Sequence, residues 1–512
     1  MRHERWSPFF GVVAAFVAVA MCFTAKIARP ADTPKNAASV NPHDQPDPVY
    51  DIDPVEASLN QHYHQTFRPQ FHYTAIQGHI GDATGLIYDQ GEFHLFTMFD
   101  QWERRRNRHK CWGHAVSHDC IHWEELPPVL DTLVDHKPGS GSGLVDWNDS
   151  LGLRAGPRKT LVIFYTDYQT GSCIAYSNDA GHTWVRHPRN PVIAGADEAR
   201  DPTVFWYPPA TEWRMVRYEK RGFVFYGSTN LLDWTRFSRI EGFYECPDLI
   251  ELPVEDRPGQ RKWVLIAADC SYVLGSFDGR EFKPETESLR VERSKSLYAP
   301  QIWKKTPGGT SPAIQIGFLN YPNEPRLTWH NQMSIPCELR LREFPEGLRL
   351  CRLPIDEIDN LRVGQQAWHD LRGSPGKNPL SAIQGDLFDI RAEIELAGAS
   401  RFVITTRGQA VGYSVKDAEF TLGHAKAPLA PTAKRVRFQI LVDRSSIELF
   451  ADQGQATISR IVFPDPNDRS LSLTTEGGDI RVISLQVNRL ESIWRENETR
   501  LGHPCASAIS DK

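Results

Sequence analysis

A repeat with a period of about 40 to 60 residues constrains this chain more tightly than any other feature, because such periods mark stacked supersecondary units. The segments SHDCIHW (117–123), SNDAGHTW (177–184), STNLLDW (228–234) and SFDGREF (276–282) share a serine, a turn built from Asp, Asn or Gly, and a closing aromatic. Each reads as a strand, a tight turn and the next strand. A second series runs in phase with the first: DATGLIY (82–88), SGSGLVDW (140–147), DPTVFWY (201–207), CPDLIEL (246–252) and APQIW (299–303). Five such starts imply five units, each a small or polar turn entering a short β-branched and aromatic run. Strands such as LVIFYT, WVLIAA and IQIGFL lie between them without an amphipathic helical pattern. The expected arrangement is five four-stranded blades around a central axis, with the first residues of the innermost strands gathered at one mouth of the channel.

After about residue 355 the spacing changes. LFDIRAEIEL, RFVITTRG, VRFQILVD, SSIELFAD and ATISRIVFP alternate apolar with polar residues and end at Gly, Asp, Asn or Pro, as strands of an antiparallel sandwich do. The chain is therefore expected to be all-β, a five-bladed β-propeller over 61–352 followed by a β-sandwich over 353–494 and a tail over 495–512. A length of 512 residues with 40% hydrophobic and 11% aromatic content suffices for two such cores.

The N-terminus carries a basic start, MRHERWSP, and then an apolar run from Phe9 to Phe23. That run has the length of a signal-peptide core and falls short of the roughly 20 residues a spanning helix needs. Residues 1–31 are expected to direct export, 32–60 to form a flexible leader, and the product to be secreted, periplasmic or at the cell surface. Contact with a membrane is expected only if the segment stays uncleaved. A formal charge of -6, spread without long runs of one sign, argues against nucleic acid as a partner. Nine cysteines show neither a C-x-x-C pair nor zinc spacing. They are read mainly as buried thiols, and no metal site or cofactor is expected.

Asp82, Asp201 and Glu245 each occupy the mouth position of their repeats. Acids in turns are commonplace, but three that recur in register with the innermost strands would converge on one funnel. Three carboxyl groups so gathered carry acidic chemistry that no turn requires.

The stretches RPQFHYTAIQGHIGDATGLIYDQGEFHLF and CWGHAVSHDCIHWEELPPVL, then SGSGLVDWND, FYTDYQTGSCIAYSNDAGHTW, ARDPTVFWY, YECPDLIEL, MSIPCELRL and LVDRSSIELFADQGQATISRIVFP, carry a family likeness. Together they resemble glycoside hydrolase family 32, which includes invertases, levanases and inulinases, over nearly all of the chain after residue 65. The resemblance implies a propeller plus sandwich and a retaining hydrolase that cleaves β-fructosyl linkages of levan, inulin, sucrose or related fructans. A carbohydrate is then the partner. The nucleophile of the W-M-N-D-P-N-G motif falls on Asp82, the R-D-P transition-state stabiliser on Asp201, and the E-C-P acid/base on Glu245. Three separately spaced motifs in order form a specific signal. The same likeness places Arg200, Ser142, Trp112, Met98, His79 and Tyr298 at positions expected to face substrate. Trp112 and Trp123 fit either a sugar-stacking surface or the blade core.

Departures from the family pattern surround the acids. The first motif reads His79-Ile80-Gly81-Asp82-Ala83-Thr84-Gly85, without its Trp and its sugar-holding Asn, and Met98 stands where the family has Gln. The D-x-Y-A motif reads Ser296-Leu297-Tyr298-Ala299. Each missing polar contact is worth about 1–3 kcal/mol in a buried pocket. Alternatives are therefore a glycosidase for a different furanoside, fructosyl transfer in place of hydrolysis, or a non-catalytic carbohydrate-binding protein derived from a hydrolase.

Overall fold

A computed structural model of the chain describes residues 63–100, 110–130, 138–304, 313–321 and 327–494. The expected export segment, the leader up to residue 60 and the tail from 495 lie outside the described residues. Among the described residues helix is confined to short 3-10 turns such as Pro208–Ala210 and Asp356–Leu361, and the rest of the regular structure is strand.

Five antiparallel sheets form the propeller blades, and their innermost strands are Gly78–Asp89, Pro138–Asp146, Arg200–Tyr207, Asp248–Pro253 and Leu297–Ile302. These are the five starts read from the sequence. Side chains stitch the ring together: Thr84 Oγ1 donates to Gly141 O at 2.9 Å, Val204 N donates to Ser142 Oγ at 2.9 Å, and Ile302 N donates to Asp248 Oδ2 at 3.0 Å. Apolar layers between neighbouring blades supply the core, for example Phe205, Tyr218, Phe225, Leu265 and Phe277 between the third and fourth.

The Ser-x-Asp repeat turns out to join the third and fourth strands of a blade. Ser177 Oγ donates to Asp179 Oδ1 at 2.7 Å, which also accepts Thr183 N at 2.9 Å, and Ser117–Asp119 and Ser228–Asn230 repeat the pattern. The side-chain acceptor imitates a carbonyl and fixes the reversal, which explains the residue types. In the fifth blade the outer strands Cys337–Phe344 and Gly347–Pro354 join by a tight turn, so the motif is absent there. Trp329–His330 adds to the first blade, parallel to the start of its innermost strand. That pairing was not visible in the sequence.

The sandwich stacks a six-stranded sheet on a five-stranded one. The first runs Arg362–Gly373, Ile480–Leu490, Phe388–Glu395, Arg435–Val442, Ser446–Ala451, Ala456–Ile461, and the second Ala425–Pro428, Glu419–Leu422, Gln409–Ser414, Arg401–Thr406, Leu471–Glu476. Alternation sends Phe388, Ile390, Ala392 and Ile394 into a shared core with Phe402, Tyr413 and Phe420.

Candidate active site

The mouth of the channel is built where the innermost strands depart from regular pairing. Register shifts interrupt the strand pairs between Ile80 and Ala83, Gly139 and Gly141, Arg200 and Thr203, and Tyr298 and Gln301. A bulge turns side chains that would follow strand alternation toward a new direction. Asp201, Glu245, Cys246 and Ala299 lie at φ of 57°, 51°, 42° and 47°. Left-handed backbone at four non-glycine residues of one site costs about 1–3 kcal/mol each and is characteristic of functional centres.

Asp82 is brought to Asp201 and Glu245 through Cys246. Its Oδ2 accepts the Ser140 hydroxyl at 2.5 Å and the Cys246 thiol at 3.7 Å. Cys246 N donates to Asp201 Oδ2 at 3.1 Å, and Glu245 is the preceding residue. Arg200 donates to Glu245 Oε1 from Nη2 at 2.8 Å and from Nε at 3.2 Å, while Tyr298 donates to Glu245 Oε2 at 2.5 Å. Glu245 precedes the innermost strand of its blade by a short turn and does not lie within it, unlike the other two acids.

Electrostatics divides the acids. Burial pushes the Asp82 carboxyl up, against its Ser140 bond and with the Glu245 charge, and burial together with the Asp82 charge pushes Asp201 up to about 7. A guanidinium favours the ionised form of a neighbouring carboxyl. Arg200 Nε does lie 3.7 Å from Asp201 Oδ2, but burial and Asp82 outweigh it, and its guanidinium turns mainly to Glu245. Burial and the surrounding carboxylates hold Cys246 well above the usual thiol range, so it stays a thiol and donates.

The other expected substrate-facing residues divide. Arg200 and Tyr298 join the acids directly. Met98 lies beside Gly81, where an added Cβ would come 3.3 Å from Met98 Cβ, so an apolar pair flanks Asp82. His79 bonds Asn331 through Nε2 at 2.9 Å and packs against His330. Ser142 and Trp112 bond partners other than the acids. The Ser142 hydroxyl accepts Val204 N at 2.9 Å, and Trp112 is fully buried with Nε1 donating to Gly139 O at 3.2 Å. Trp123 is likewise buried. Sequence reasoning missed Ser140. In a regular strand Ser140 and Ser142 share a face, and only the bulge between Gly139 and Gly141 separates their roles. The seven cysteines among the described residues are buried, as read from the sequence.

The family model described as the glycosyl hydrolases family 32 N-terminal domain matches residues 72–354, and the one described as the C terminal of that family matches 357–489. A levanase of Bacillus subtilis (strain 168) is 34% identical over 497 residues, covering 86% of this chain and 73% of the relative. A levanase of Bacillus sp. (strain L7) is 33% identical, and there the match covers 86% of this chain but about half of the relative, 54%. The extracellular exo-inulinase of Aspergillus awamori is 26% identical over 84% of this chain and 96% of its own. The crystal structure of exo-inulinase from that organism superposes with a TM-score of 0.77 at 24% identity, over 84% of this chain and 100% of that one. A β-fructofuranosidase from Schwanniomyces occidentalis, complexed with fructosyl-erythritol, gives 0.74 at 23% identity, over 83% and 98%. These two likenesses show the fold, a propeller joined to a sandwich. With both family models matched in order over most of its length, the chain belongs to glycoside hydrolase family 32.

Proposed function

We propose that this protein is a retaining glycoside hydrolase that cleaves β-fructosyl linkages, with Asp82 as nucleophile, Glu245 as acid/base and Asp201 as the acid that grips the sugar in the transition state. The observation that carries this reading is the convergence of three carboxyl groups from three blades around Cys246. Asp82 attacks the anomeric carbon while Glu245 gives its proton to the leaving oxygen. Glu245 then takes a proton from the water that releases the sugar from Asp82. Arg200 and Tyr298 orient the Glu245 carboxyl, one on each oxygen. Asp201, buried beside Asp82, bonds hydroxyls of the ring as positive charge develops on it.

Relatives named levanase and exo-inulinase support a fructan as substrate. The apolar run from Phe9 to Phe23, together with a relative named extracellular, supports export. Met98 and Gly81 beside the nucleophile keep a different furanoside as the second reading. Incubation with sucrose, inulin, levan and arabinan, followed by chromatography of the products, tests both. Fructose or fructo-oligosaccharides are expected from the first group, and Asp82→Asn is expected to lower kcat by more than about a thousandfold while the fold persists. Release of arabinose alone overturns the fructosyl reading, and near-normal activity of Asp82→Asn overturns the nucleophile.

A further inference from the structure

Among the described residues four large hydrophobic side chains are exposed, and the two aromatic ones, Tyr168 and Tyr244, both stand at the rim of the acid cluster. Tyr168 lies in the turn between Thr160–Asp167 and Gly171–Ser177. Its ring is seated on Gly139, where an added Cβ would come 2.7 Å from Cε2 and 2.9 Å from Oη. Gly139 is itself held from behind by the Trp112 indole, and the next residue, Ser140, bonds the nucleophile. The hydroxyl end of the ring thus lies against glycine, while the residue remains 59% exposed. Its hydroxyl is nonetheless pushed up by burial and by the Asp201 charge, as befits a group inside a concave, acid-lined mouth. Tyr244 precedes Glu245, is 52% exposed, and lies with its ring centroid 5.5 Å from the Arg200 guanidinium.

Exposure rises in order along this wall. The side chains of Asp201, Arg200 and Glu245 are 4%, 14% and 24% exposed, below the two tyrosines. The sugar that is transferred meets the deep acids, and Glu245 reaches the bond being cut. The rings therefore lie on the leaving-group side. An exposed ring adds little to a core, but the face of one offers apolar contact to the C–H face of a sugar.

We propose that Tyr168 is a platform for the leaving-group sugar, with Tyr244 as a second aromatic wall, and that the site takes fructan oligosaccharides in preference to fructosides whose leaving group is not a ring. This rests on the fructosidase reading above and names the substrate within it. The test compares kcat/KM for a fructan oligosaccharide with that for methyl β-fructofuranoside, whose leaving group cannot stack. In Tyr168→Ala the ratio of the two is expected to fall about five- to tenfold, and in Tyr168→Phe, which keeps the ring, to stay within about twofold of the unmodified enzyme. An equal loss on both substrates, or a ratio unchanged in Tyr168→Ala, overturns the platform while leaving the fructosidase reading intact. Failure of the unmodified enzyme to cleave either compound overturns the fructosidase reading, and this inference with it.

Discussion

Asp201 combines a left-handed backbone, nearly complete burial and a carboxylate neighbour, and each of these costs stability on its own. Together they make the Asp82–Asp201 pair resist double ionisation, so its titration belongs to the pair. In Asp82→Asn one raising charge is gone and burial remains. The Asp201 titration is therefore expected to fall from about 7 toward the ordinary carboxylate range without reaching it. Carboxyl carbon NMR of the folded variant measures this directly, and an unmoved titration would show that burial alone holds it. The sign for stability is also fixed. A carboxyl raised in the folded state costs stability progressively as pH rises from about 4 toward 7, and the variant should lose part of that cost. At this scale the three acids were legible because each sits in a distinct short motif. Ser140 and Tyr168 were not. A bulge decides which serine meets Asp82, and Tyr168 matters only because Gly139, distant in sequence, lacks a side chain beneath its ring.

Blades were legible as elements because the Ser-x-Asp turn and the small-residue start of each innermost strand have local physical causes, a side-chain acceptor and crowding at the axis. That crowding is measurable at Gly143, on the second innermost strand. An added Cβ there would come 2.3 Å from Gly85 O and 2.4 Å from Ile87 Cγ1, both on the first innermost strand. Neither backbone can yield without disturbing the bulges that aim Asp82 and Ser140. Gly143→Ala is expected to lower unfolding free energy by about 1–3 kcal/mol and to reduce kcat with it. Gly364→Ala, where nothing lies within 4 Å, is the matched control and should change stability by less than about 0.5 kcal/mol. Urea unfolding of the pair decides the point, and equal midpoints would mean that the blades part more easily than their packing implies. The parallel addition of Trp329–His330 had no local signal, because a two-residue strand depends wholly on its partner.

The division of the whole molecule was legible in the change of strand spacing, but the junction between its parts was not. A buried histidine stands at its centre. His72, before the first blade, is buried with Nδ1 2.8 Å from Asp443 Oδ2 and Nε2 2.8 Å from Glu448 Oε1, both in the sandwich. Asp443 also accepts Gln70 N and Phe71 N, and Glu448 accepts Ile335 N from the propeller. Burial opposes a charge on His72, yet the two carboxylates outweigh it and raise the ring from 6.5 to about 9. A histidine raised in the folded state contributes stability that is fully present below about pH 6.5 and is lost as pH rises through about 9. The move from 6.5 to about 9 corresponds to about 3 kcal/mol. Asp443 and Glu448 are held below their usual range, so their share persists at neutral pH and is lost only in acid. The denaturation midpoint is thus expected to fall between pH 6.5 and 9.5. His72→Gln removes the cation but leaves two buried carboxylates, and should cost about 3–5 kcal/mol at pH 6 while flattening that alkaline decline. Denaturant midpoints across this range, read by tryptophan fluorescence, check both features. A decline in His72→Gln as steep as in the unmodified protein would remove His72 as its cause and move the search to other groups at the junction, beginning with the buried Arg352–Glu292 pair that Thr457 and Ser459 of the sandwich complete.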